Sequence, residues 1–206
     1  MRVWVMDPRA PDASVVAEAG AIVKAGGLVA FPTETVYGLA ADATNPLAIE
    51  RLNRVKGRPP EKPYSYHVHD RAQVAAYVDA VPAAAQRLMD RFWPGPLTIV
   101  MPAKRGGTIG FRLPEGRVAI EFLRQCGCAV VAPSANRSGA LPPTTAKQIV
   151  DELGTDIDGV LDAGPTSVGR ESTVVQVIGN DVRLLREGAV PMAEIVRTVG
   201  SVVRGS

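Results

Sequence analysis

Polar and apolar positions divide the chain into short alternating pieces. Asp12 precedes a stretch in which Val15, Val16, Ala19, Ile22 and Val23 recur at helical spacing; Asp12 is a ready N-cap and Gly26-Gly27 stops the helix. Leu28-Val29-Ala30-Phe31 predicts a buried strand closed by Pro32. A polar turn, Thr33-Glu34-Thr35, comes next, then Val36-Tyr37-Gly38. Asn45-Pro46 opens a second helix with proline at its first position and Ala48, Leu52 and Val55 on its apolar face. That helix must end near Lys56, because Gly57 and Pro59-Pro60 cannot continue it.

Tyr64-Ser65-Tyr66-His67-Val68 alternates like a strand, and Asp70 and Pro82 each open a helical stretch, the second ending near Phe92-Trp93. Pro94-Gly95-Pro96 breaks the chain before the strand Leu97-Thr98-Ile99-Val100-Met101. A basic loop, Lys104-Arg105-Gly106-Gly107-Thr108, leads to the extended piece Phe111-Arg112-Leu113. A helix over 118–125 precedes the buried strand Ala129-Val130-Val131-Ala132, and Thr144 or Thr145 caps a helix running to Leu153. Short strands follow at 159–162, 173–178 and 182–185, the last two joined by the hairpin turn Gly179-Asn180-Asp181, and a final helix starts near Pro191. Irregular alternation of helices and strands predicts an α/β fold, a twisted mixed sheet with helices packed on it.

Length and composition narrow the picture. A chain of 206 residues fits one domain, 1–206, with a core over about 10–200. With 46% hydrophobic and 21% charged residues it can bury a substantial core. A net charge of +2 excludes a global polycation, so affinity for nucleotides or nucleic acid must rest on local clusters. No apolar run reaches the roughly 20 residues that span a bilayer, and the first residues lack the apolar core of a signal peptide. The two cysteines, Cys126 and Cys128, stand too close for an ordinary disulfide and are too few for zinc, so free thiols in a reducing cytoplasm are expected.

Two polar segments stand out as candidate chemistry. Lys56 and Arg58 flank Gly57 where the chain leaves a helix; a lysine acts as a point charge on phosphate and an arginine grips two oxygens. Ser134 and Asn136 follow a strand, and loops at the carboxyl ends of strands are the usual ligand sites of open α/β sheets. Each of these alone is ordinary turn or helix-end chemistry. His67 and His69 share a strand face, but two ligands do not make a metal site. The chain has no GxxxxGK[ST] loop, no GxGxxG turn and no nucleophile–histidine signature. Positioning and charge stabilisation are therefore the expected catalytic means.

Taken in order, the segments Phe31-Pro32-Thr33-Glu34-Thr35-Val36-Tyr37-Gly38-Leu39, Lys56-Gly57-Arg58-Pro59, Trp93-Pro94-Gly95-Pro96-Leu97-Thr98, Phe111-Arg112-Leu113-Pro114, the stretch from Ala132 to Gly139, Glu171-Ser172-Thr173-Val174-Val175 and Arg186-Glu187-Gly188 resemble the YrdC family, the threonylcarbamoyl-AMP synthases. The resemblance implies that family's twisted mixed sheet and large basic cleft. It implies that L-threonine, bicarbonate and ATP, with Mg2+, give threonylcarbamoyl-adenylate and pyrophosphate. The product would supply the modification of adenosine 37 in tRNA through a downstream transferase partner, and tRNA itself is a candidate direct partner. Lys56, Arg58, Ser134 and Asn136 would form the family's cleft tetrad, with Lys56 and Arg58 on the ATP phosphates. Thr108, Pro142 and Arg186 would be further nucleotide contacts. Thr35, His67, Arg112, Ala132 and Ser172 would be the threonine-side contacts, Arg112 holding the carboxylate with two hydrogen bonds.

Two departures from the family pattern matter. Longer members carry a linker and a second C-terminal domain; this chain ends at Ser206, so a lone domain without the linker's contacts over the site is expected. Tyr64-Ser65-Tyr66 stands where aliphatic residues are more usual, which changes either the pocket wall beside His67 or only the packing. No general base is evident. Two other readings stay open: a non-catalytic RNA-binding module, although aromatic residues make up only 5%, and a carbamoyl-handling paralogue of the same fold.

Overall fold

The computed structural model describes residues 1–59 and 61–204. Pro60, one of the two prolines expected to stop the helix after Lys56, lies outside the described residues, as does Ser206. Among the described residues eleven strands line up as β1 (Arg2–Val5), β8 (Gly159–Asp162), β2 (Val29–Phe31), β3 (Gly38–Asp42), β7 (Val130–Val131), β4 (Tyr66–His67), β6 (Thr108–Arg112), β5 (Leu97–Pro102), β9 (Thr173–Ile178), β10 (Asp181–Arg186) and β11 (Val203–Arg204). Parallel and antiparallel pairings mix throughout, as expected: β8 runs parallel to β1 and β2, while β3 and β7 are antiparallel.

The helix signals hold at the level of single atoms. Asp12 caps α1 (Ala13–Lys24) by accepting from the N–H groups of Ser14 and Val15. Asn45 caps α2 (Pro46–Lys56) in the same way, and Gly57 closes that helix in the left-handed region at φ 59°. Pro82 precedes α3 (Ala83–Phe92), α4 is Arg117–Cys126, Thr145 caps α5 (Ala146–Leu153), and Pro191 precedes α6 (Met192–Val199). Asp70 does form a capping box with Gln73, but the helix it opens, Arg71–Ala76, is a six-residue 3₁₀ helix.

The central strands are buried on both faces, which is why they read as unbroken apolar runs. Along β2, Val29 and Phe31 enter one core with α1 and α4, while Ala30 enters another with α2 and α5. β3, β7 and β8 divide their side chains the same way: Ala40, Val130 and Leu161 to the first core, Leu39, Val131 and Val160 to the second. A third core joins β5, β6, β9 and β10 to α3 and α6. Helices α1 and α4 meet backbone to backbone, since a Cβ on Gly20 would sit 2.7 Å from the carbonyl carbon of Gln125. The result is a rigid sheet whose central strands end around one cleft.

Candidate active site

The cleft is shaped by two loops stitched together through the backbone. Tyr37 accepts from the Ala135 N–H and donates its own N–H to Pro143, and the Leu39 N–H donates to the Pro133 carbonyl. These bonds lock the segment between β2 and β3 against the long loop after β7. The cavity between them and the ends of β4, β6 and β9 holds about 460 Å³. Lys56, Arg58, Arg112 and Arg186 bring four cations to its wall, against one carboxylate, Glu171.

Lys56 sits at the last position of α2, only 3% exposed. Its ammonium donates to the carbonyls of Ser134 and Asn136, both at 2.6 Å, and its own carbonyl accepts from the Ser138 N–H. Two of its three protons thus pin the loop after β7, leaving one for the cleft. Burial, and then the charge of Arg58, pull its pKa down from 10.5 to about 8. Arg58 lies on the Tyr64 ring, 4.7 Å from its centre, and donates to the carbonyls of Lys62 and Pro63. The Tyr64 hydroxyl in turn donates to Asn53 on α2. The unusual Tyr64 is therefore a wall of the cleft and a seat for Arg58, while Tyr66 packs against Tyr77 and Phe111.

Arg112, at the end of β6, is 5% exposed and paired with Glu34, 2.8 Å away. Its five N–H bonds can be counted. Nη2 donates to Glu34 and to the Thr35 hydroxyl, both at 2.8 Å, and Nε donates to the Gly95 carbonyl. Three are spent within the protein, and Nη1 has no acceptor among the described residues. Burial pulls the guanidinium's pKa down while Glu34 holds it up, and an arginine stays charged under either influence. Arg112 therefore keeps two protons, both on Nη1, for the two hydrogen bonds expected of it.

At the start of β9 the Ser172 hydroxyl bonds to that of Thr98, 2.8 Å away, and accepts from Arg186 Nη2. Arg186 also donates to the Ser172 carbonyl and, through Nη1, to Glu171 at 2.9 Å. This corner closes because residue 188 is glycine. A Cβ there would lie 2.3 Å from the Glu171 carbonyl oxygen and 2.4 Å from the Ser172 carbonyl carbon. Gly188→Ala is accordingly expected to cost about 1–3 kcal/mol of stability and to disturb Arg186, Glu171 and Ser172 together; denaturant unfolding checks the first part. A loss under about 0.5 kcal/mol, within the range of ordinary surface changes, would mean the corner relaxes.

Ten of the twelve expected site residues line this one cleft: Lys56, Arg58, His67, Arg112, Ala132, Ser134, Asn136, Pro142, Ser172 and Arg186. Thr35 is fully buried and supports Arg112 from outside the lining. Thr108 begins β6, four residues before Arg112, or about 13 Å along an extended strand; it is exposed and outside the lining. Asn136 spends both amide protons on the carbonyls of Arg137 and Ala140, so it shapes the loop as Lys56 does. His67 is 8% exposed, and burial, then Arg112, push its pKa down to about 3, so it stays neutral. Sequence reasoning assigned no role to Glu34, Thr98 or Glu171, although all three fall in motif segments quoted for the resemblance.

Fold and cleft define an α/β protein built on a twisted mixed sheet with a strongly cationic pocket at its strand ends. The chain belongs to the Sua5/YciO/YrdC family, whose model, described as "Telomere recombination", matches residues 21–188. It is 37% identical over 197 residues to the threonylcarbamoyl-AMP synthase of Bacillus subtilis, covering 91% of this chain and 57% of the relative. It is 38% identical over 203 residues to a putative threonylcarbamoyl-AMP synthase of Mycobacterium tuberculosis H37Rv, covering 94% and 93%. The crystal structure of Pyrococcus abyssi Sua5 complexed with L-threonine superimposes with a TM-score of 0.94 at 32% identity, covering 100% of this chain and 63% of that one. The chain spans 57% of the length of the B. subtilis protein and 57% of that of the threonylcarbamoyl-AMP synthase of P. abyssi.

Proposed function

We propose that this chain is an L-threonylcarbamoyladenylate synthase, joining L-threonine, bicarbonate and ATP into threonylcarbamoyl-adenylate with release of pyrophosphate. The observation that carries the reading is the whole-chain superposition on a relative that holds L-threonine. In this reading residues 1–206 act as one domain in the cytoplasm, and the product goes to a transferase that modifies tRNA. Support for one unit comes from the continuous order of the eleven strands. Among the described residues no helix is long and apolar enough to cross a membrane.

Lys56, Arg58 and Arg186 face the triphosphate, with Ser134, Asn136 and Pro142 shaping that half. Arg112 offers Nη1 to the threonine carboxylate, with His67, Ala132 and Ser172 around it and Thr35 behind. Thr108 stands outside the lining. Substrate carbamate attacks the α-phosphorus, negative charge grows on the phosphoryl oxygens, and fixed cations in a buried site lower that barrier without reorganising. Mg2+ ordinarily binds through substrate phosphates with few protein ligands, so the expected ion fits as one carried by ATP. When bound it would neutralise phosphate charge.

Pyrophosphate release should require threonine, bicarbonate, ATP and Mg2+ together; release without threonine overturns the reading. A pH dependence also follows. Lys56 loses its charge as pH rises through about 8, so kcat/KM for ATP, which reports the free enzyme, should fall with a midpoint near 8. Between about 8 and the ordinary 10.5 the unfolded chain holds the extra proton, so this group makes stability rise with pH there and unfolding does not explain the fall. Lys56→Arg should move the limb to higher pH in whatever activity remains; a limb that stays near 8 assigns it to another group.

A further inference from the structure

Resting on the synthase reading, one step still lacks a residue. Threonine enters as an ammonium ion, and a protonated amine has no lone pair with which to capture bicarbonate. Something in the cleft must hold that cation among four fixed positive charges and take a proton from it.

Lys56, Arg58, Arg112 and Arg186 carry positive charge, and each already donates to a protein acceptor. The Tyr37 hydroxyl is spent on the Gly164 carbonyl and that of Tyr64 on Asn53. His67 is neutral, and its one nitrogen without a partner among the described residues, Nδ1, is itself buried, so it is shut off from a substrate amine in the cleft. Glu34 stands outside the lining, with one oxygen on Arg112 and the other on the Glu115 N–H. Glu171 remains. It is the one carboxylate of the lining, adjacent in sequence to Ser172. Its Oε1 accepts from Arg186, while Oε2 has no hydrogen-bond partner among the described residues. Its side chain is 34% exposed, so a proton it accepts can leave to solvent. The charges it faces are Arg186 from β10, Lys56 from α2 and Arg112 from β6, and it acts electrostatically on the last two.

We propose that Glu171 Oε2 binds the ammonium group of the amino-acid substrate and removes its proton. The balance is complete. One N–H bond breaks as its proton passes to the carboxylate, leaving a neutral amine. The amine lone pair then forms a bond to the carbon of bicarbonate, a C–O bond breaks, and the departing hydroxide leaves as water with a second amine proton. Carbamate results, and Glu171 returns its proton to solvent through the open mouth. No oxidant or further reactant is needed. The same carboxylate fixes Arg186 with its other oxygen, so the two halves of the cleft share one hinge of charge.

The adenylyl-transfer half gives the test, because it needs no ammonium deprotonation. Glu171→Gln keeps an oxygen to accept from Arg186 but removes the base. Synthesis from threonine, bicarbonate and ATP is expected to fall by about 10² to 10⁴-fold. Pyrophosphorolysis of threonylcarbamoyl-adenylate made by the wild-type protein, read as ATP formed on adding pyrophosphate, should fall less than about tenfold. Glu171→Asp, which keeps a carboxylate, should synthesise faster than Glu171→Gln. Equal loss of both reactions in a folded Glu171→Gln protein would mean that Glu171 only holds Arg186, and equal synthesis by the Asp and Gln variants would likewise overturn the base. Failure of the wild-type protein in both directions would instead sink the synthase reading, and this assignment with it.

Discussion

Lys56→Met is expected to lower threonine-dependent pyrophosphate release by about 10² to 10³-fold, the usual loss when one preorganised donor to a developing anion is removed. Methionine keeps an unbranched apolar stem one atom shorter than that of lysine, so the end of α2 keeps most of its packing. Two effects on stability oppose each other. The carbonyls of Ser134 and Asn136 lose a shared donor, worth about 1–3 kcal/mol per unsatisfied group. Against this, a buried ammonium is relieved; its lowered pKa means that folding disfavours the charged form. The net change should be small against the 5–15 kcal/mol stability typical of a domain. Thermal unfolding near the wild-type temperature with a collapsed rate is therefore the expected pair of results. A rate within threefold of wild type would show that Lys56 serves the loop and not the phosphates.

What the sequence reveals and conceals here follows from distance along the chain. Asp12, Asn45 and Thr145 declare their helices because a cap and the N–H groups it serves lie within three residues of each other. The strand at 38–42 escapes because Gly-Leu-Ala-Ala-Asp lacks the β-branched residues of a strand signature; it is extended because β2 and β7 flank it and all five residues are buried. The edge strands β1 and β11 escape for the opposite reason, since most of their side chains face water and impose no pattern. The site divides in the same way. The loops and residue types of the cleft could be read, but who holds whom could not. Lys56 meets the carbonyls of residues 78 and 80 positions away, and Arg112 meets Glu34 across 78. Read singly, both were phosphate or carboxylate hands; in the fold each is also a strut, with fewer protons left for a ligand than its side chain carries.

The pair at 34 and 112 carries the largest stability effect. Both side chains are nearly buried, at 7% and 6% exposure, so breaking the pair strands a charge. Glu34→Ala should cost about 3–5 kcal/mol, enough to unfold a domain of ordinary stability. Arg112→Met should cost a similar amount by leaving Glu34 uncompensated. The double variant carries no stranded charge, so its loss should fall well short of the sum, with a coupling of at least about 2 kcal/mol; such cycles measure coupling between contacting residues. Stability should return while threonine-dependent activity should not, because the double variant lacks the Nη1 proposed for the substrate carboxylate. Additive losses in denaturant unfolding would show that the two charges act independently. A buried ion pair is seldom the most stable way to fill such a space, and an apolar pair of equal volume often does as well. Its use here is orientation. With Nη2 on Glu34 and Thr35 and Nε on Gly95, the guanidinium plane has no freedom to swing, and in the proposed reading Nη1 would meet the substrate carboxylate in a single pose. In that reading a small amino acid held at one end by Nη1 would be fixed well enough for its amine to be aimed.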